Sequence, residues 1–359
     1  MAYTTIDDPS VYFQTQLYTG DGGTQNVTNS GNSDLQPDWI WIKNRDAGSN
    51  HIAQDTSRGI NVCFFPDDAA VEQTNSVFGH VNSVAADGFQ VDEGNSGEAN
   101  ANKNSQKYVA WQWKCNGGTA SGSFSESGNN PGVSFQANTD AGFSICTYTG
   151  TGGNGSFAHG LGAIPDWVII KGRDTATDGM IYHGANTSAP ETDALTLPEA
   201  SGTSDNAGWW QDTAPTSSSV YIGTHDRVNK DGNLYVAYCF ASIQGYSKFG
   251  SYAGNGNADG AFIYTGFKPA FVIQKQTNAD GEFWMMKDNK REPFNQTDAN
   301  VYPNAQNPDV DTNGIDLLSN GFKCRTAGAG SNASGATYVY MAFAESPFVS
   351  SKGVPTTAR

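Results

Sequence analysis

Three short segments alternate large apolar residues with small or polar ones. In KYVAWQWK, from Lys107 to Lys114, one valine and two tryptophans alternate with alanine, glutamine and lysine. LYVAYCFA, from Leu234, and TYVYMAFA, from Thr337, follow the same alternation. A period of two in segments rich in Val, Trp, Tyr and Phe is typical of a half-buried β-strand. Each segment is therefore predicted to be a strand with its bulky face turned toward a core.

These strands belong to a larger repeat along the chain. The phrases PDWIWIK, PDWVIIK and PAFVIQK carry Trp39, Trp167 and Phe271 at one equivalent position. The tyrosine of an upstream phrase (LYTG, TYTG or SYAG) precedes that position by 21, 19 and 19 residues, and the tyrosine of the alternating strand follows it by 69, 68 and 67. Intervals this constant over three copies indicate a triplicated structural unit.

The segments between these phrases favour turns rather than helices. They are rich in Gly, Asn, Ser, Thr and Asp, and no segment carries a sustained helical periodicity of apolar residues. We predict an all-β fold of three repeated antiparallel β-sandwich modules, each made of two sheets packed face to face. The modules are expected at residues 1–115, 136–246 and 247–348, with a Gly/Ser/Asn linker at 116–135 and a C-terminal tail at 349–359.

Charged residues recur at fixed places within the repeat. A lysine closes each of the three opening phrases, and an aspartate with an arginine three positions later follows in the first and third modules. We interpret each Asp/Arg pair as a salt bridge that holds a loop. The second module has Tyr182 and His183 in that region and is predicted to be a diverged copy. The repeated positions with a structural role are Trp39, Lys43, Asp55, Arg58, Trp167, Lys171, Phe271, Lys275, Asp288 and Arg291.

Composition and charge exclude several classes of protein. The 359 residues carry a formal net charge of −16 and no Lys/Arg-rich stripe, so binding to nucleic acid or to an anionic membrane is not expected. No run approaches the roughly 20 apolar residues of a membrane span. The five cysteines are scattered and odd in number, so no disulfide framework is predicted. Because the start lacks a secretory pattern, synthesis in a reducing cytoplasm is expected.

The sequence offers little that is typical of catalysis or metal binding. It contains no zinc-ligand spacing, no GxSxG nucleophile elbow and no phosphate-binding loop, so no enzymatic activity is predicted. One segment, DVDTNGID, is similar to a calcium loop, with Asp309, Asp311 and Asn313 at positions 1, 3 and 5. Position 12 is Asn320 instead of a bidentate glutamate, so a turn-rich loop without metal is the alternative. Calcium is thus the single candidate cofactor.

Two adjacent tryptophans are candidates for sugar binding. Trp209 and Trp210 lie in the polar segment GWWQDT, with Asp212 close by. Exposed aromatic rings stack on the apolar faces of sugars, and short polar side chains bind the hydroxyls. Adjacent residues of a strand point to opposite faces, so the alternative is that one of the two rings belongs to the core.

Several long segments resemble a family of marine bacteriophage proteins. They include QPDWIWIKNRD (36–46), HGLGAIPDWVIIKGR (159–173), LYVAYCFASIQGYSKFGSYAGNGNADG (234–260) and YVYMAFAESPFVSSKGVPTTAR (338–359), and the resemblance extends over nearly the whole chain. Members of that family are labelled virion structural or tail-fibre proteins. The resemblance implies a virion component with lectin-like, concanavalin A-like jelly-roll modules. It assigns no catalytic or ligand-binding residue.

The resemblance and the residue patterns together predict an exterior structural protein of a phage virion, either a tail fibre or a capsid decoration, that contacts host-surface glycan. Such a protein is assembled in the host cytoplasm and located on the virion exterior. Its expected partners are other virion proteins and further copies of the chain in a homo-oligomer, for example a trimer. Two alternatives stay open: a cement protein without a ligand, and a polysaccharide-degrading enzyme with two facing carboxyls.

Overall fold

The regular secondary structure of the chain is almost entirely antiparallel β-sheet. The computed structural model describes residues 2–73, 77, 79–95 and 100–356; residues 1, 74–76, 78 and 96–99 of the first predicted module and 357–359 of the predicted tail lie outside the described part. Within it, helical structure is confined to α1 (Asp226–Asn229) and two short 3-10 helices, Pro9–Val11 and Pro190–Thr192. The all-β prediction is confirmed. None of the helices described has the length and hydropathy of a membrane-spanning segment.

The first unit, residues 13–113, contributes two sheets. Its strands are β1 (Phe13–Thr19), β2 (Thr24–Thr28), β3 (Trp39–Asn44), β4 (Ile52–Asp55), β5 (Cys63–Phe64), β6 (His80–Ala85), β7 (Gly88–Asp92) and β8 (Lys107–Trp113). The main sheet has the order β1-β8-β3-β4-β5, and the second sheet has the order β2-β7-β6. The alternating strand β8 thus lies between β1 and the PDW strand β3.

The second unit, residues 122–240, has the same arrangement with a wider main sheet. Its strands are β9 (Gly122–Phe124), β10 (Val133–Asn138), β11 (Phe143–Thr149), β12 (Gly155–Ala158), β13 (Trp167–Gly172), β14 (Met180–His183), β15 (Asp193–Thr196), β16 (Ser204–Asp205), β17 (Ser219–Ile222) and β18 (Leu234–Phe240). The main sheet has the order β16-β15-β14-β13-β18-β11-β10-β9, and β12 pairs with β17. As in the first unit, the alternating strand lies beside the PDW strand.

Ordered strands replace the flexible linker expected at residues 116–135. This segment contains β9 and the first residues of β10, which pair with each other, and β10 continues the main sheet by pairing with β11. Phe124 stacks on Phe135 across that pair, with ring centroids 6.3 Å apart. The abundance of Gly, Ser and Asn conceals two short alternating stretches, SGSFS and GVSFQ, whose phenylalanines support strand pairing.

The third unit, residues 247–347, has two sheets of equal size. Its strands are β19 (Ser247–Ala253), β20 (Phe262–Tyr264), β21 (Phe267–Gln276), β22 (Met285–Asp288), β23 (Thr297–Asn300), β24 (Val310–Leu318), β25 (Gly321–Cys324) and β26 (Thr337–Pro347). The two orders are β19-β26-β21-β22 and β20-β25-β24-β23.

Strand pairing explains why the upstream tyrosine phrase recurs. In each unit it pairs with the alternating strand so that two tyrosines lie opposite each other. Their rings stack with centroids 5.0, 5.1 and 5.0 Å apart, and the pairs are Tyr18–Tyr108, Tyr148–Tyr235 and Tyr252–Tyr338. The glycine that ends each phrase packs against a carbonyl oxygen that an added Cβ would approach to 2.2 Å. The tyrosine of the phrase is therefore needed for ring stacking, and its glycine allows two backbone segments to lie close together.

The bulky faces of the three main sheets share one hydrophobic core. Trp113 contacts all three units, with its ring 4.4 Å from Trp39, 6.4 Å from Phe240 and 5.7 Å from Phe343. The opposite face, with smaller side chains, packs within each unit against the second sheet. In the first unit, for example, Ile40 and Ala110 belong to one cluster with Phe89 and Val91 of the second sheet. The prediction of a half-buried strand is therefore wrong for these segments: both faces are buried, because the large aromatic side chains fill the space between units.

Candidate functional site

Three equivalent contacts join the units in a closed ring. At each contact, a backbone N–H of one unit donates to the carbonyl oxygen two residues after the repeat lysine of another. The first unit donates to the second, the second to the third and the third to the first. The pairs are Glu72 N to Arg173 O (2.8 Å), Thr203 N to Thr277 O (2.7 Å) and Asp309 N to Arg45 O (3.0 Å).

The contact between the first and second units contains a buried ionic network. Arg58 donates to Asp55 at 2.5 Å, and both side chains are fully buried. Glu72 then bridges Arg58 at 3.2 Å and Arg173 of the second unit at 2.9 Å. The Tyr238 hydroxyl, also from the second unit, donates to Asp55 Oδ2 at 2.7 Å. The Asp/Arg pair expected from the repeat is present. Arg58 N also donates to Asp55 Oδ1 at 2.9 Å, so the pair holds its own loop and, through Glu72 and Tyr238, also connects two units.

The contact between the third and first units repeats this network. Arg291 donates to Asp288 at 2.6 Å, again with both side chains fully buried. Asp309 bridges Arg291 at 3.1 Å and Arg45 of the first unit at 2.7 Å. The indole Nε1 of Trp111 donates to Asp288 Oδ2 at 3.2 Å, in the place of the Tyr238 hydroxyl. The two networks therefore have the same geometry with different donors.

The contact between the second and third units lacks these charged groups. His183 pairs with Trp167 in the register in which Asp55 pairs with Trp39. Three residues later Asn186 replaces the arginine, and its Oδ1 accepts from Thr203 Oγ1 at 2.8 Å. The four positions of the network are thus occupied by His183, Asn186, Thr203 and Thr277.

The third unit explains why the second unit has a histidine where the other units have an aspartate. The position equivalent to the donors Tyr238 and Trp111 is Met341, whose side chain offers no N–H or O–H to an aspartate. His183 instead donates from Nε2 to the backbone oxygen of Tyr340 at 3.2 Å. Burial lowers the pKa of His183 to about 4, so the ring is neutral at physiological pH. An uncharged group suits a site without a charged partner.

A polar cavity lies at this third contact. It has a volume of about 620 Å³ and opens where the other two contacts hold a carboxylate between two guanidinium groups. We call it the Asn186 cavity. Its polar lining consists of Asn186, Thr187, Thr203, Thr277, Asn278, Asp280 and Thr337.

Asn186 is the buried polar group that the fold leaves unsatisfied at the cavity. Its side chain is 3% exposed, and its Nδ2 has no hydrogen-bond partner within the described residues. Thr203 Oγ1 donates to Asn186 Oδ1, so the amide oxygen is paired and the amide nitrogen is not. Leaving a buried donor unpaired costs about 1–3 kcal/mol, so Asn186 is a residue of the cavity wall whose hydrogen bonding is incomplete.

The repeat lysines are buried and also connect units. Each Nζ donates to a carbonyl oxygen of its own unit and to one of a neighbouring unit. The inter-unit bonds are Lys43 to Gln306 (3.1 Å), Lys171 to Ala69 and Ala70 (3.0 and 2.9 Å) and Lys275 to Ala200 (3.1 Å). These bonds follow the same ring of contacts, so the lysines have a structural role in the fold.

The buried lysines predict an unusual dependence of stability on pH. Burial lowers the pKa of Lys43, Lys171 and Lys275 from 10.5 to about 8. Between these values the unfolded chain binds more protons than the folded chain, so the free energy of unfolding rises with pH. We expect a gain of roughly 1 kcal/mol per lysine between pH 7 and pH 8.5, measured by urea unfolding. Lys43→Met is expected to reduce the slope; a flat or falling profile in the unaltered protein would contradict the prediction.

The predicted sugar-binding tryptophans are buried. Trp209 and Trp210 are 5% and 1% exposed and belong to the core of the second unit. The indole of Trp210 donates to Asp193 O at 2.9 Å, and the ring of Trp209 lies 4.0 Å from that of His225. Only Asp212 is exposed. The predicted stacking surface is therefore wrong: the segment forms a turn instead of a strand, so both rings can point inward.

Most of the segment predicted as a calcium loop is part of a strand. Residues from Val310 onward form β24, and Asp309 is engaged by Arg45 and Arg291. Asn313 Nδ2 donates to Thr312 Oγ1 at 3.0 Å. Asp309 is thus bound by two arginines, whereas Asp311 lies near the carboxylates of Glu292 and Asp298.

A different carboxylate group surrounds Asp311. It comprises Glu292, Asp298 and Asp311, whose nearest oxygens lie within 4.8 Å of one another. Burial lowers the pKa of the adjacent Lys287 to about 7, and its Nζ donates to Asp298 O at 3.2 Å. Glu292 Oε2 accepts two backbone N–H groups, so this cluster is integrated into the loop structure of the third unit.

Comparison with known proteins places the chain in a family. A model described as a domain of unknown function, DUF7483, matches residues 8–347, which include all three units. No curated protein and no solved structure matches the chain. Since the match covers nearly the whole sequence, the chain belongs to the DUF7483 family.

Proposed function

We propose that this protein is an exterior structural component of a bacteriophage virion, a tail fibre or a capsid decoration, that contacts host-surface glycan. The observation that carries the proposal is the ring of contacts between units. The buried charged residues of the repeat are engaged in joining the units, and the largest aromatic residues fill the core between them. This use of residues suits a durable particle component more than a catalyst.

The sheet arrangement supports concanavalin A-like jelly-roll modules as the building blocks. Each unit has a main sheet, a second sheet and a hydrophobic cluster of its own in addition to the shared core. Three like modules in one chain offer a threefold pattern to a partner, and trimeric fibres have the matching symmetry. The proposed partners are therefore other virion proteins and further copies of the chain.

The distribution of charge supports an exposed location on the particle. The net charge is −16, and the buried charged side chains include both signs: Arg58 with Asp55, Arg291 with Asp288, and the three repeat lysines. The surface therefore has an excess of acidic residues. Such a surface favours solubility and disfavours adhesion to nucleic acid.

The enzyme alternative is less well supported by the geometry. A groove of about 820 Å³ in the third unit is lined by two glutamates, Glu292 and Glu345. Glu345 pairs with Lys268 at 2.6 Å, and Glu292 accepts the backbone N–H groups of Asp298 and Ala299. Glycosidases need an acid and a base or nucleophile that are free to act on substrate. Both carboxylates already have protein partners.

Immunogold labelling of purified virions tests the proposal. An antibody to this protein is expected to place gold on the particle. Label over the shell would assign a capsid decoration, and label at the tail would assign a fibre. Particles that carry the protein's coding sequence but bind no gold would contradict the proposed virion role.

A further inference from the structure

We propose that the Asn186 cavity binds a neutral sugar through hydrogen bonds. This inference rests on the proposed contact with glycan and assigns that contact to a place in the fold. The expected ligand class is one or two uncharged pyranose rings that carry hydroxyl or N-acetyl groups.

The first argument is the comparison of three equivalent contacts. In the first of them, Glu72 lies between Arg58 and Arg173, and their side chains fill the space between units. At the contact between the second and third units the corresponding residues are Asn186, Thr203 and Thr277, which are shorter and uncharged. The same backbone bond closes both contacts, so the units are equally close and the space is left open. The cavity is therefore a property of these substitutions.

The second argument is the unsatisfied amide. Asn186 Nδ2 is a buried donor that lines the cavity and lacks a partner among the described residues. Thr203 donates to Asn186 Oδ1 at 2.8 Å and so keeps the N–H edge directed away from itself. A sugar hydroxyl or an acetamido oxygen is the kind of acceptor that would complete the hydrogen bonding of this amide. Asparagine amides with threonine hydroxyls are a suitable set for hydroxyl-rich ligands.

The third argument is the charge of the lining. Asp280 is the charged side chain among the residues that line the cavity, and its Oδ1 accepts Gly202 N at 2.8 Å. Its carboxylate can accept a sugar hydroxyl. The nearby Lys275 directs its Nζ to Ala200 O and Glu282 O. An anionic sugar would meet the Asp280 carboxylate, while the Lys275 ammonium is already bound to two carbonyl oxygens, so uncharged sugars are favoured.

The fourth argument is size and rigidity. A volume of about 620 Å³ lies within the range of small-molecule sites, about 300–1,000 Å³. The walls belong to two units that share the central core, so the site is formed before a ligand arrives and little ordering is needed. No aromatic side chain is among its lining residues, so a single sugar is expected to bind weakly. Many copies on a particle would raise the overall avidity.

Saturation-transfer NMR with the full chain tests the assignment. The probes are the methyl glycosides of glucose, galactose, mannose and N-acetylglucosamine, with methyl glucuronide as the charged comparison. At least one neutral probe is expected to bind, and the glucuronide is expected to bind at least ten-fold more weakly. Equal binding of neutral and anionic probes would overturn the inference.

Two variants locate the binding. Thr203→Glu combined with Thr277→Arg places across the third contact the pair that Glu72 and Arg173 form across the first. It is expected to fill the cavity and weaken neutral-sugar binding at least ten-fold. Asn186→Leu keeps the approximate size and removes the donor, and the same loss is expected. Asp212→Asn, at an exposed position outside the cavity, is the control and is expected to bind normally.

The outcomes separate this inference from the proposed function. Unchanged sugar binding in both cavity variants would overturn the assignment of the site while leaving a glycan contact elsewhere. Binding of none of the neutral probes would overturn the inference, whereas gold on virions would still support the structural role. Sugar binding lost in both variants, with gold absent from virions, would support the cavity and contradict the virion role.

Discussion

Asp55→Ala is expected to lower the free energy of unfolding by roughly 3–5 kcal/mol, one of the two largest effects that the structure predicts. The substitution removes the carboxylate that accepts from Arg58 at 2.5 Å and from the Tyr238 hydroxyl at 2.7 Å. Arg58 is fully buried, so its guanidinium would keep its charge with only Glu72 as an anionic partner. Urea unfolding at neutral pH measures the loss.

Matched substitutions separate the buried network from general effects of removing an acid. Asp288→Ala is expected to cost a similar amount, because Asp288 holds the equivalent position beside Arg291 and Trp111. Asp212→Asn removes an exposed negative charge at a left-handed backbone position that asparagine tolerates, and it is expected to change stability by less than about 0.5 kcal/mol. Equal effects at Asp55 and Asp212 would contradict the assigned role of the network.

Trp113→Ala is expected to cost roughly 3–5 kcal/mol as well, through loss of packing in the shared core. The ring is 1% exposed and lies within 6.4 Å of aromatic rings in all three units. Its removal leaves a cavity bordered by three sheets, which can collapse only if the units shift together. Differential scanning calorimetry is expected to show a lower midpoint for the unfolding of the entire chain.

An exposed aromatic residue provides the control for this substitution. Phe294 is 79% exposed, and Phe294→Ala is expected to leave the midpoint nearly unchanged. If Trp113→Ala lowered the midpoint of one part of the chain and left the rest unaffected, the shared core would not connect the units as described.

The strands of the repeat could be predicted from the sequence, but their environment could not. Alternation in KYVAWQWK correctly indicates a strand with one bulky face. It does not specify what covers that face, because a period of two is the same against a second sheet or against another unit. Trp113 therefore belongs to a core between units that the pattern of one strand cannot reveal. Strand β9 was not predicted either, because its glycine and serine are typical of a loop.

The sequence likewise predicted one part of the candidate site and not the rest. The pairs Asp55–Arg58 and Asp288–Arg291 could be predicted from their recurrence, whereas Glu72 and Asp309 bridge them to other units over distances the sequence does not show. The Asn186 cavity was not predicted. Its signal was present in the second copy, where His183 and Asn186 occupy the places of the aspartate and arginine. The sugar-stacking surface was predicted wrongly because the polar neighbours of Trp209 and Trp210 suggested exposure, whereas both indoles are buried in the core.

Calorimetry of the unaltered protein tests most directly whether the three units form one body. Because the units share the core around Trp113 and are joined by three buried contacts, we predict a single cooperative transition, with the calorimetric enthalpy equal to the van't Hoff enthalpy. Two or three resolved transitions, with the units unfolding independently, would contradict the account.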